Sequence, residues 1–379
     1  MLNRRLIRIR AMQALYAYKQ AEGANFQLSL DLIADDFAPD LNSMEFQDRE
    51  KLEGYKKLGQ QLLHEAFSRQ DEDDFNVPKE VLMSVEKAKD YFLLKNKKDV
   101  DHYAGRMILE AEKVYDLYLQ ILLLFIELAD RSDADERNAA SQSKLSDNQI
   151  IKKLRQERLL ETQAIRRNVN WSTEQVIVAK LFREVLRSNA HYIEYCAKKN
   201  HTLEEDFAFL KYMLKNVVLK NELTWEYFEK QDLYWIDDVE TLRAAITHTF
   251  QSFVEDGRFK IALLDQEWDE RKDFLQTLYR KSIVEEKELE EVLIPKLKNW
   301  EIERISETDQ ILLKMALVEM LNYPSIPIKV TINEIIEIAK DYSTPKSGQF
   351  VNGILDSLSK ELKEAGKIRK SGRGMLDNK

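Results

Sequence analysis

Apolar residues recur at helical spacing from the first turns of the chain. On a helix over residues 4–19, Ile7, Ala11, Ala14, Leu15 and Tyr18 fall on one side and point inward. VYDLYLQILLLFIELAD (114–130) and FREVLRSNAHYIEYCAKK (182–199) are long amphipathic segments. From Ile311 to Leu321 apolar residues run almost all the way round, which predicts a central helix buried on most sides. Helix breakers are scarce between these segments. No proline occurs between Pro78 and Pro295, and Gly105 is the one glycine between Gly59 and Gly257. A sheet protein of this length would need many Gly, Pro and Asn-Gly turns. The fold class expected is all-α: a compact helical bundle with a large helical insertion.

Several helix starts are legible. Pro78 suits a first helical position ahead of KEVLMSVEKAKDYFLLK. Thr202 with Glu205, Ser306 with Asp309, and Thr331 with Glu334 have capping-box spacing, the last before IIEIAKDY. The polar stretch 131–149 reads as a loop or hinge. Near residue 265 the punctuation changes, because four of six prolines and five of ten glycines lie from Pro295 onward. A compact C-terminal domain after a long helical body is the organisation expected. Gly353 inside a helix costs about 1 kcal/mol against alanine, and close helix–helix approach would explain it.

Composition narrows the function. The 379 residues are 44% hydrophobic and 33% charged. Cys196 is the lone cysteine, so no internal disulfide forms. The basic start lacks the apolar stretch of a secretory signal. The apolar run Ile121–Ile126 is far short of the roughly 18 residues of a membrane span. A cytoplasmic protein without membrane contact is expected. His191 and Cys196 are poorly spaced for one helical face, the acidic run 71–74 lacks the features of a calcium loop, and no phosphate-cradling glycine motif occurs. No catalytic residue, metal site or cofactor is predicted.

The net charge of −9 argues against nucleic acid, but its distribution argues the other way. Residues 1–20 hold Arg4, Arg5, Arg8, Arg10 and Lys19 and no acid. Arg4 and Arg8 stack one turn apart beside the apolar stripe, Arg5 lies next to them, and Arg10 falls on the other flank. Guanidinium forks in this array suit RNA phosphates. A solvated cationic helix start is the plainer alternative. The tail GKIRKSGRG is also basic, through Lys367, Arg369, Lys370 and Arg373, and reads as a flexible end.

The segment Trp300–Leu362 carries an ordered set of motifs: Trp300 with Arg304 and Ile305; Asp309; an apolar helix through Glu319; Ile326-Pro327; Ile332-Asn333-Glu334; Ala339-Lys340; and Phe350-Val351-Asn352-Gly353-Ile354-Leu355-Asp356. In order and spacing it resembles the signature of the NusB family. Arg4-Arg5, Arg8 and Met12-Gln13-Ala14-Leu15-Tyr16 resemble the family's arginine-rich first helix, and Phe274–Leu297 its helix pair ahead of the signature. The resemblance implies a discontinuous NusB-like RNA-binding domain over 1–24 plus 265–365. A helical insertion at 25–264 and a basic tail at 366–379 complete the chain.

The resemblance further implies a transcription antitermination factor. With the small-subunit ribosomal protein NusE it would bind boxA-type ribosomal RNA, and would engage other Nus factors and RNA polymerase indirectly. Arg4, Arg5, Arg8, Arg10, Gln13, Lys346, Ser347, Phe350 and Asn352 are the RNA-contact candidates, and Asp309 and Glu319 the protein-partner candidates. Lys346 departs from the family, which commonly carries an acid there. Each candidate has a second reading: Phe350 as a core aromatic, Asn352 as a packing or capping group, Asp309 as a helix cap. Four phosphate-bound arginines would give a log–log salt slope of roughly −3.

Two other function classes compete with this one. A ribosomal RNA methyltransferase bearing this domain would need a glycine-rich αβ domain and catalytic cysteines, which the chain lacks. A helical protein-interaction scaffold that has lost RNA binding is the alternative. In the insertion, Trp225, Tyr227, Phe228, Tyr234 and Trp235 are read as core rather than as a recognition platform.

Overall fold

The computed structural model describes residues 4–42, 44, 46–67, 77–135, 141–264, 268–297 and 305–378. Trp300, Arg304 and the acidic run 71–74 lie outside the described residues. All regular structure is helical, and no strand occurs among the described residues. In chain order the helices are α1 (Arg4–Asp36), α2 (Arg49–Phe67), α3 (Lys79–Ala134), α4 (Gln149–Leu154), α5 (Arg158–Arg167), α6 (Gln175–Lys180), α7 (Ala190–Ala197), α8 (Leu203–Met213), α9 (Glu222–Gln231) and α10 (Trp235–Asp256). They are followed by α11 (Trp268–Val284), α12 (Glu286–Leu297), α13 (Glu307–Asn322), α14 (Ile328–Tyr342) and α15 (Ser347–Glu364). The chain forms two compact units. One comprises the chain up to Ile7 with Ile108–Asp273, the other Arg8–Met107 with Phe274–Lys379.

The first unit is built on the second half of α3, whose Val114, Tyr118, Ile121, Leu122 and Phe125 are all buried. Thr202 and Glu205 form the expected capping box at the start of α8. The aromatic cluster is core: Phe228 and Trp235 are buried and stack at 4.6 Å, with Trp225 edge-on to Trp235 at 5.9 Å. Gly257, at φ +66°, closes α10 in the left-handed conformation that glycine adopts without a steric penalty. The stretch 131–149 is not one loop. α3 continues to Ala134, and Leu145–Asp147 make a 3-10 turn with Leu145 buried.

The second unit has two hydrophobic foci. In one, Ile33 of α1 and Phe37 just after it, Leu63 of α2, and Val81, Val85 and Ala88 of α3 pack together. A Cβ at Gly59 would lie 2.8 Å from Ile33 Cγ2, so α2 needs glycine to come this close to α1. Pro78 sits just before α3, its carbonyl accepting from Val81 N and Leu82 N, and not at the first helical position. In the other focus α13 is the axis, packed against α12, α14 and α15, with every residue from Ile311 to Met320 buried. Ser306 caps α13 by accepting from Asp309 N at 3.1 Å.

The Thr331/Glu334 pair is not a cap. α14 begins at Ile328 with Pro327 as its N-cap, because Pro327 holds φ at −59° where a helix can start. Thr331 lies inside the helix and spends its hydroxyl elsewhere, as described below. The basic C-terminal stretch is not detached either. Ile368 is buried, Lys370 Nζ donates to Tyr323 O at 2.9 Å, and Ser371 N to Pro324 O at 3.0 Å. A Cβ at Gly374 would fall 1.9 Å from Pro324 O, so only glycine fits there.

A charged girdle joins α1 to α12 and α13 in this unit. Glu286 accepts from Lys19 Nζ at 2.9 Å and from Lys314 Nζ, and Lys314 also reaches Glu290 at 3.0 Å. Burial pushes the Glu286 carboxyl up, but Lys19 and Lys314 outweigh it and hold it below its usual value of 4.5. A depressed carboxylate stabilises the fold above its unfolded pKa, and that contribution is lost as pH falls through the folded value. Glu286→Gln is therefore expected to destabilise the protein at pH 7. The gap to the unaltered chain should close on acidification below about pH 4.5, read by urea unfolding at each pH.

Candidate nucleic-acid interface

The first turns of α1 divide the arginines into two kinds. Arg4 and Arg5 are exposed, and Arg4 stands 3.5 Å from Glu270, itself exposed. From Leu6 to Met12 every residue is buried, including both later arginines. Arg8 is 1% exposed and forms a two-pronged ion pair with Glu319, Nε to Oε2 at 2.7 Å and Nη2 to Oε1 at 2.6 Å. Thr331 Oγ1 donates to the same Glu319 Oε1 at 2.7 Å. The Phe274 ring lies 5.4 Å from the Arg8 guanidinium, and Glu334 stands 4.0 Å away.

This corrects the sequence reading of three residues. Arg8 is an internal cation, and Glu319, which is 0% exposed, is its counter-ion and not a surface for a protein partner. Arg10 is 2% exposed and donates from Nη1 to Gln13 Oε1 at 3.0 Å, so half-buried Gln13 is first of all its acceptor. The wheel drawn from sequence gave α1 one apolar side and a solvent side. Burial of the whole stretch leaves no solvent side there. A closed two-bond pair satisfies the geometry that a buried charge requires.

The C-terminal candidates gather round one groove of about 710 Å³. Ile305, Asp309, Thr344, Lys346, Ser347, Gln349, Phe350, Asn352, Gly353 and Ile354 line it. Lys346 and Asn352 are exposed, and Phe350 is half-buried. Ser347 is buried and works inward: its Oγ donates to Asp309 Oδ2 at 2.7 Å and lies 2.8 Å from Thr344 Oγ1 and 2.9 Å from Ser343 Oγ. Ser343 Oγ in turn meets Ser306 Oγ at 2.9 Å.

This hydroxyl chain ties the start of α13 to the start of α15, so Ser347 positions the groove and does not present itself to a ligand. Asp309 is likewise buried, which places it in the groove floor and not on a protein-docking surface. Among the described residues its Oδ1 has no hydrogen-bond partner.

Gly353 also differs from expectation. Among the described residues nothing lies within 4 Å of where its Cβ would be, so no described helix packs on it, and its bare backbone widens the groove. The close approach is at Gly348, where a Cβ would meet Lys340 Cγ at 3.1 Å and Ile336 Cγ2 at 3.6 Å, letting α14 and α15 pack. The sequence reading passed over Gly348. A second glycine five residues before Gly353, just behind the helix start, was the available signal.

Among the described residues no group of three or more His, Cys, Asp or Glu could hold a metal, and no helix is long and apolar enough to cross a membrane. The fold and groove define a helical bundle around a buried axial helix, with a polar and aromatic groove at the head of α15.

Comparison with known proteins names that bundle. The NusB family model matches residues 239–360. A transcription antitermination protein NusB from Salinibacter ruber is 43% identical over 105 residues, 28% of this chain and 66% of that protein. One from Chloroherpeton thalassium is 43% identical over 106 residues, covering half of its length. One from Listeria monocytogenes is 32% identical over 124 residues, 33% of this chain and 97% of that protein. The chain thus spans between half and two thirds of the first two relatives and nearly all of the third. No solved structure matches. The chain belongs to the NusB family, whose members are antitermination factors and not enzymes.

Proposed function

We propose that this protein is an antitermination factor that binds boxA-type ribosomal RNA together with the ribosomal protein NusE. The observation that carries the reading is the groove at the head of α15. It brings a half-buried aromatic ring, an exposed amide, an exposed lysine and an open glycine backbone onto one surface. Single-stranded RNA is bound by such combinations, an aromatic face for a base and cations for the phosphates. Arg4 and Arg5 stay on as exposed phosphate ligands, while Arg8, Arg10 and Ser347 serve the fold.

The loss of two arginines from the surface lowers the expected electrostatic contribution. With Arg4, Arg5 and Lys346 as the phosphate contacts, a log–log salt slope of about −2 replaces the −3 expected from four arginines. Fluorescence anisotropy of labelled boxA RNA across a salt series tests this, with and without NusE. Binding with that slope, tightened by NusE, is the expected result. The burial of Arg8 and Arg10 favours one competing reading, a helical interaction scaffold without RNA binding. That reading predicts no boxA binding at any salt, with or without NusE.

A further inference from the structure

The first unit has a charge pattern that helix electrostatics alone does not produce. α10 carries five carboxylates, Asp237, Asp238, Glu240, Glu255 and Asp256, all near its two ends. Its middle carries none and faces α8 across a cleft of about 340 Å³. The cleft is lined by Lys211, Leu214 and Lys215 on one side and by Arg243, Ala244, Thr247, His248 and Gln251 on the other. No carboxylate lines it. Acids at a helix start and bases at its end would follow the macrodipole. α8 obeys that rule, and α10 obeys it at its start through Asp237 and Asp238 but not at its end, where the last turn is acidic and holds no base.

The cations are presented, not consumed. Lys211 and Lys215 are exposed, and neither forms an ion pair among the described residues. Lys211 lies over the Phe207 ring at 5.4 Å. Arg243 is exposed and pairs with Glu240 on its own helix, leaving other guanidinium donors open. Gln251 donates to Glu255 at 2.6 Å, and His248 is exposed. Lys215 sits in the widened π turn Leu214–Val218, closed by Leu219 N to Leu214 O at 2.9 Å. Such turns recur at functional sites.

We infer that the cleft between α8 and α10 is a second polyanion site, which grips the phosphodiester backbone of single-stranded RNA without reading its bases. From Arg243 to Gln251 the wall runs about 12 Å along α10, longer than one phosphate group needs. The lining offers cations and neutral donors, and His248 is its one ring, with no Phe, Tyr or Trp face, so it suits a backbone better than a base. The choice of RNA among polyanions rests on the proposed RNA-binding function.

The test uses the full chain and a labelled oligo(U) 20-mer in a salt titration, with boxA RNA alongside. Replacing Lys211, Lys215 and Arg243 by glutamine should flatten the oligo(U) salt slope by about 2 and weaken low-salt binding about tenfold. Photocrosslinks to residues 211–215 should disappear. Ala244→Glu, which keeps every cation but adds a carboxylate to the wall, should reproduce the loss. Lys199→Gln with Lys220→Gln should leave binding unchanged. An unaltered slope in both cleft variants overturns the inference, as does loss of poly-glutamate binding with RNA binding intact, which would give the cleft to an acidic protein. If the boxA reading fails, boxA shows no preference over oligo(U), yet the cleft variants still report on the slope.

Discussion

Replacing Glu319 by alanine is expected to cost about 3–5 kcal/mol of stability, the largest effect of any single substitution considered. The reason lies in what remains. Arg8 would keep its charge at 1% exposure with its two-bond partner gone, and Thr331 would lose its acceptor. Glu334, at 4.0 Å, is too distant to replace a direct hydrogen bond. Removing both partners is a different matter. Arg8→Met combined with Glu319→Leu leaves no uncompensated charge, and buried pairs replaced by apolar side chains are often neutral in cost. The double variant should therefore be more stable than Glu319→Ala alone. Urea unfolding of the two singles and the double reads the coupling directly. A cost below about 1 kcal/mol for Glu319→Ala would show that the pair is not closed in solution.

Phe350→Ala is expected to weaken boxA binding by about 1–3 kcal/mol, the range for losing one base-stacking aromatic. That corresponds to about 5- to 150-fold in Kd. Since the ring is half-buried, its removal also disturbs packing. Phe350→Leu separates the two effects. It refills the apolar volume, so thermal stability should recover while RNA affinity does not. Lys346→Gln should leave stability unchanged and flatten the salt slope by about 0.7, one phosphate contact's share. RNA affinity unchanged in Phe350→Ala would give the ring wholly to the core.

The fold was readable because its signals are local. The absence of prolines between Pro78 and Pro295 with Gly105 the one glycine between Gly59 and Gly257, the apolar run of α13, and the Thr202 and Ser306 caps each follow from neighbouring residues. The site was readable in part. The order of Lys346, Phe350, Asn352 and Gly353 along the chain brings them to one helix head, where they share a groove. Arg8 and Glu319, 311 residues apart, were not legible. An arginine among arginines resembles a surface cation until its partner in space is known, and a glutamate ending an apolar helix looks exposed for the same reason. Ser347 and Asp309 were misread likewise, as their bond spans two helix starts. The Thr331 cap failed because Pro327 opens the helix a turn earlier.

The claim that most needs testing is that the groove at the head of α15 meets RNA. Crosslinking boxA RNA carrying photoreactive uridines to the full chain, with NusE present, and sequencing the labelled peptides tests it directly. The account predicts adducts within residues 346–353, abolished by Phe350→Ala and outcompeted by unlabelled boxA. Adducts confined to other segments, with the 346–353 peptide unlabelled, would contradict it.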